Sequence, residues 1–449
     1  LAVPSSRWWP SRDDAAPERY AARVSIAKNS TSWGSGHDFH IAGPRKTPLL
    51  LGRVLEKERR ARATIGAMVA TASELPLEVE VSVETERQGI HPLLELVLVG
   101  GLTPLLFPLS WLLRRALGLD SAEYAVGFVF FYGAYLINDP HFAVTYFLFY
   151  RDVRGRALGD AFSRGQRLRY WLAGFVLPAA LAAWSIASLA GGSAPMISAL
   201  IQLMFFLVGW HYVKQGFGVL LVLAQRRGVR FTPLERSILL AHALTGWAYA
   251  WASPADPGTI VEEKGVVYTT LAHGEALERV THWVFLATAV LLAGMLVRKR
   301  LRDKDLPIVI LAPLLAFLSS IWSWTIYSSI DPLVRYMTPA LHSLQYLYFV
   351  WLLRAPEARE REGPPWFERA SSARLGMLAI SALLLGCLLF HVGPSALDTI
   401  FHSNKLRGTA LGVTPYFATL YAFVNIHHFC MDAVLWRRQN PETHYLLRV

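Results

Sequence analysis

From residue 91 to its end the chain alternates long hydrophobic runs with short polar stretches, and most of the runs are long enough to cross a hydrocarbon core. At about 1.5 Å of rise per residue against a core of about 30 Å, the pattern predicts ten spanning helices. They fall near 92–113, 123–150, 170–191, 196–224, 234–252, 280–297, 306–328, 333–353, 374–393 and 408–436. The second and fourth exceed a perpendicular crossing, which predicts tilt. The expected fold is an all-α, polytopic membrane helix bundle over 91–449.

The upstream sequence has no such pattern. Residues 1–67 are rich in Ser, Pro, Arg and Ala and read as a disordered tail or a reading-frame extension; the first methionine is Met68, where translation is expected to start. His37 and His40 fall in this stretch and read as a stray pair. Residues 68–90 contain the alternating LEVEVSVE and read as a short N-terminal arm.

Charge gives the bundle a direction. Lys and Arg number 23 in the stretches 151–169, 225–236, 298–304, 354–374 and 437–449, against 6 in the alternate set. The basic set therefore belongs to the cytoplasm, with both termini inside, as in a multi-pass protein of a bacterial-type plasma membrane. The net charge of +11 has the same origin, together with a tail that holds 12 basic against 6 acidic residues. Nucleic-acid binding has no support once these are set aside. Only 17% of residues are charged, well short of the quarter usual in soluble domains. The two cysteines, Cys387 and Cys430, lie inside apolar runs and give neither a disulfide framework nor a thiolate metal motif.

Candidate chemistry comes from the polar positions inside the runs. AFVNIHHFCMDAVLWRR (422–438) sets Asn425, His427, His428 and Asp432 in a greasy helix. His141 lies in YLINDPHFAVTY, His211 in VGWHYVKQGFG and His342 in ALHSLQYLY. The first arginine beyond each histidine follows after 10 to 15 residues, or roughly 15–22 Å of helix. Four parallel helices thus carry imidazoles at a similar depth. Asn425, His428 and Asp432 share a face, as do His211, Lys214 and Gln215, and His342, Gln345 and Tyr346. Asn138 and Thr145 flank His141, Asp139 points elsewhere, and Pro140 predicts a kink. His242, His282 and His391 read as packing residues.

Ionisable groups at this depth are costly and mark function by default. His141, His211, His342, His427, His428 and Asp432 are the expected metal ligands, with Asn138, Asp139, Gln215, Gln345 and Asn425 supporting. Lys214 or Tyr346 would supply a proton. Histidines with a carboxylate and no thiolate suit iron, and zinc less well. Iron in a hydrophobic bundle suits oxygen-dependent chemistry on a membrane lipid or isoprenoid. The same polar set would also serve a proton-coupled transporter, a haem-binding protein or a lipid-modifying transferase using a histidine base. The HxxxH and HxxHH boxes of membrane desaturases and hydroxylases are absent. In style alone, single histidines converging on iron from several spans, the pattern is similar to the bacterial carotene-cleaving dioxygenases. It shares no motif with them, and no family is assigned.

Overall fold

A computed structural model describes residues 91–447 apart from 102, 255–256, 264, 303–305, 361–369 and 403–410. The expectations for 1–67 and 68–90 lie outside the described residues. The described chain is mostly helical. In chain order the helices are α1 (Pro92–Leu98), α2 (Leu106–Leu117), α3 (Leu119–Ala134), α4 (Asn138–Tyr150), α5 (Val153–Ala157), α6 (Arg164–Ala190) and α7 (Ala194–Arg226). There follow α8 (Pro233–Ala252), the strands β1 (Ile260–Glu263) and β2 (Val266–Thr269), α9 (Glu275–Arg302), α10 (Leu306–Leu318), α11 (Pro332–Glu360), α12 (Ser371–Phe401) and α13 (Pro415–Leu435).

Local sequence explains where several of these begin. Thr232 accepts from the Glu235 N–H while Glu235 reaches back to the Thr232 N–H, a capping box that starts α8 with Pro233 as its first residue. Ser193 caps α7 through the Met196 N–H and is followed by Pro195. The second predicted span is two helices, α3 and α4, because the backbone turns at Tyr135–Ile137. Pro140 then sits in the first turn of α4, where its missing N–H costs little.

Among the described residues five helices are long and apolar enough to cross a membrane: α6, α7, α9, α12 and the segment Ile310–Ser329 that continues α10. A sixth appears if α1 and Thr103–Leu117, bent by 68° from one another, count as one span. The other expected spans are not of that apolar type. The α3–α4 pair is interrupted, while α11 and α13 dilute their hydrocarbon with the polar residues already named. Of the helices that carry the polar set, only α7 with His211 is of the apolar spanning type.

The ends of the bundle differ. A two-stranded antiparallel hairpin, with Ile260 opposite Thr269, buries Val266 completely among Leu200, Ile201 and Ala418 at one end. At the arginine-rich end, the short segment Pro441–Leu447 is clamped by charge. Arg151 reaches Glu357 at 2.9 Å and Glu442 at 3.0 Å, Arg156 also pairs with Glu442, and Arg226 donates to the Leu446 carbonyl at 2.9 Å. Between these ends α4, α7, α11 and α13 meet along a core rich in aromatic side chains.

Candidate metal centre

One helix start fixes the first ligand. His141 stands in the opening turn of α4, where backbone N–H groups have no intrahelical partner. Its Nδ1 is 3.0 Å from the Asn138 carbonyl, which can only accept, so Nδ1 carries the proton and Nε2 turns a lone pair inward. The Ser343 hydroxyl of α11 lies 3.1 Å from the same Nδ1 and 3.0 Å from Asn138 Oδ1, tying α11 to this turn.

Three further helices bring one imidazole each. His211 from α7, His342 from α11 and His428 from α13 join His141, and one ring nitrogen from each lies within 4.8 Å of the others. All four side chains are buried. The Nε2 atoms of His141 and His428 are 3.0 Å apart, and those of His211 and His342 are 3.2 Å apart. Nitrogens bound about 2.1 Å from a metal lie about 3.0 Å apart at neighbouring octahedral positions and about 3.4 Å apart in a tetrahedron. Each pair is thus spaced as two ligands of one ion would be, a spacing that a hydrogen bond between the rings also gives.

Asp432 completes the donor set. Its Oδ1 accepts the Tyr346 hydroxyl at 2.9 Å, and Thr145 Oγ1 lies 2.6 Å from that phenol oxygen. Its Oδ2 has no hydrogen-bond partner among the described residues, yet it lies 3.4 Å from His428 Nε2 and 3.8 Å from His211 Nε2. A buried acceptor left without a partner costs about 1–3 kcal/mol, and more for a charged one. A cation among the nitrogens would remove that cost, so the residues present fit a metal ion. His342 and His428 lack the Nδ1 acceptor that His141 has.

Aromatic rings wall the site. Phe429 stacks on His211 at 4.7 Å, Tyr212 lies 4.6 Å from His342, and Phe142 lies 4.5 Å from His428. Apolar walls exclude water and strengthen every electrostatic interaction inside.

The remaining candidates go elsewhere. His427 turns to Tyr146 and Tyr150, whose hydroxyls are 3.1 and 3.4 Å from its ring nitrogens. Successive helical residues point about 100° apart, so only one of the adjacent pair can face the centre. The Lys214 ammonium lies 5.5 Å over the Phe217 ring. Gln215 donates to the His342 carbonyl at 3.3 Å and to Gln345 Oε1 at 2.8 Å, and Gln345 donates to the Val99 carbonyl at 2.7 Å, so both join helices. Asn425 bonds back to the Tyr421 carbonyl at 2.8 Å. Asp139 pairs at 2.6 Å with His391, a partner that no motif or spacing in the chain indicates. Ser343 and the aromatic wall were also missed; serine beside His342 was the only available hint. No family model matches the chain, and neither does any curated protein or solved structure compared with it.

Proposed function

We propose that the protein is an integral membrane metalloenzyme, an iron-dependent oxidoreductase acting on a lipid or isoprenoid. In this reading about ten spans cross a bacterial-type plasma membrane, with both termini cytoplasmic. One observation carries it: four buried ring nitrogens from four separate helices lie within 4.8 Å of one another. Four imidazoles and the free oxygen of Asp432 make five donors, more than a tetrahedral zinc site takes and one short of an octahedron. That favours iron. Bound iron would supply the activation of oxygen.

The chain's own residues do the rest. Asn138 and Ser343 orient His141. Asp432 faces the centre through Oδ2 while Oδ1 holds the Tyr346 hydroxyl, so a proton is kept on the phenol oxygen beside the centre and can pass between Tyr346, Thr145 and Asp432. Phe142, Tyr212 and Phe429 keep water away. Lys214, over Phe217, is left outside this chemistry.

Elemental analysis of the purified protein, with its visible spectrum, is the test. At least one iron per chain without a haem spectrum is expected, and oxygen uptake should follow addition of an apolar lipid substrate. Zinc in that amount would keep the centre and overturn the redox chemistry. Less than one metal ion of either kind per chain would overturn the whole reading. A proton-coupled carrier built on the same polar residues would then be tested by flux in vesicles, with Lys214→Ala.

A further inference from the structure

The wall around the four imidazoles is not equally thick. Phe429, behind His211, is backed by α6 and α7 through Leu181 and Ile201, and Tyr212, beside His342, is backed by Trp324 at 6.1 Å. On the α4 side Phe142 and Phe390 stand in line, and Tyr421 lies 5.8 Å from Phe390. Phe142 lies 4.3 Å from His141 and 4.5 Å from His428, and Phe390 lies 4.9 Å from Phe142. Phe390 belongs to α12, whose outward positions Leu384, Leu388 and Val392 are 68, 52 and 55% exposed.

The backbone behind Phe390 is one of four π-helical stretches among the described residues, with Leu172–Val176, Ser319–Ile326 and Asp398–His402, and it is the one that carries a ring against Phe142. Leu388–Val392 is a π-helical turn inserted in α12. Such turns hold one surplus residue and concentrate at functional sites. Reversion to α-helical register would rotate one part of the helix against the other by about 100°. Phe390 would then leave Phe142. His391, in the same turn, would leave Asp139, to which it is joined at 2.6 Å, and Tyr135, on which it stacks at 3.8 Å. Gly386 keeps the hinge close to α4, since a Cβ there would come within 2.7 Å of the Asp139 backbone.

At one end of the bundle Val266 of the hairpin is buried, and at the other Arg151 and Arg156 hold ion pairs. A route from the side would avoid both. Outside Tyr135 the exposed rings of Tyr124, Phe128 and Tyr132 line α3 up to the break before α4. We infer that the Leu388–Val392 turn of α12 is a lateral gate, with Phe390 against Phe142 as its leaf and Asp139–His391 as its latch, admitting one long apolar hydrocarbon chain, acyl or isoprenoid, to the imidazoles. The inference rests on the proposed membrane location and deepens the substrate class proposed above.

The test uses the full-length protein in phosphatidylcholine vesicles carrying a diazirine-bearing palmitate, and in parallel a diazirine-bearing farnesol. After irradiation, labelling of the segment 138–150 is read by mass spectrometry and metal content is read on the same samples. Phe390→Ala and His391→Ala should raise labelling of 138–150 several-fold, and Phe390→Trp should lower it several-fold. Phe205→Ala, on the exposed face of α7, should change nothing. Whichever probe labels this segment more strongly identifies an acyl or an isoprenoid chain. Labelling indifferent to both Phe390→Trp and His391→Ala overturns the gate, and those two arms stand if Phe390→Ala does not fold. Labelling that follows residue 390 in protein holding less than one metal per chain would keep the gate and overturn the metalloenzyme.

Discussion

At the arginine-rich end of the bundle Arg156 is only 2% exposed, yet its guanidinium is fully engaged: it donates to the carbonyls of Leu148 and Phe149 and pairs with Glu442. Glu442 also takes Arg151, and Arg151 takes Glu357. Ten residues back along α4, roughly 15 Å away, His141 enters a different kind of cluster. There the nitrogens of four neutral-capable rings face one another and a carboxylate oxygen has no donor. The first cluster matches donors to acceptors and closes on itself. The second gathers ring nitrogens and a carboxylate oxygen around a point. Burial alone does not separate them, because Arg156 and Glu357 are as buried as the imidazoles; what separates them is whether the polar atoms cancel. A cluster that holds a fold together needs cancellation, whereas one that holds a cation needs its opposite.

Removing a ligand should give the largest effect and break the comparison if it fails. His428→Ala is expected to lower metal from about one per chain to near zero in elemental analysis. His342→Ala and His211→Ala should do the same singly. Without metal, His428→Phe should unfold at a temperature equal to or above that of the metal-free parent, because it removes crowded, unmatched polar atoms. A metal content unchanged by all three alanine variants would sink the four-nitrogen centre.

Arg156→Met should behave in the reverse sense. It takes one donor from Glu442, which keeps Arg151, and one from the Phe149 carbonyl, which keeps Tyr170. It also strips the Leu148 carbonyl of its guanidinium donor, and a stranded buried acceptor costs about 1–3 kcal/mol. Thermal or denaturant unfolding should show that loss, with metal per folded chain unchanged. A loss below about 1 kcal/mol would mean that the cluster acts as an exposed ion pair does. A drop in metal content at full stability would mean that the two clusters are not separate.

The convergence of His141, His211, His342 and His428 was readable because helical depth can be counted along a chain. Each imidazole was placed by its interval from an arginine, and helix geometry is regular enough for such counting to survive folding. Azimuth was not readable in the same way. His427 and His428 are adjacent, and only the packing of α13 against α4 and α7 decides that His428 points inward while His427 meets Tyr146. Asp139–His391 was hidden for the same reason, since 252 positions separate two residues that share no motif. The break at Tyr135–Ile137 was half-visible: Pro140 announced a disturbance, but proline fits the first turn of a new helix as well as a kink in an old one. Hydropathy marked runs at 333–353 and 408–436, yet α11 and α13 are not among the helices apolar enough to cross a membrane, because polar residues of the centre interrupt them.

His242 supplies the finest test, because it is a buried histidine that lies outside both clusters. It is 1% exposed, stacks on Phe285 at 4.8 Å, and its Nδ1 lies 3.2 Å from Thr288 Oγ1. Thr288 has other partners, the Phe285 carbonyl at 2.8 Å and Thr245 Oγ1 at 2.8 Å. His242→Leu therefore deletes one hydrogen bond without stranding the group that made it. The expected cost is about 1 kcal/mol, close to the net worth of a single hydrogen bond, because leucine still covers Phe285. Metal content should be unchanged. Were His242→Leu to strip the metal as His428→Ala does, burial of an imidazole would have been the operative property all along, and the geometric distinction between matched and gathered polar atoms would fail. If stability falls by the predicted amount while metal stays, a lone satisfied histidine and a converging one differ in function for the reason their partners differ: one already has a donor or acceptor opposite it, and the other has only more nitrogens.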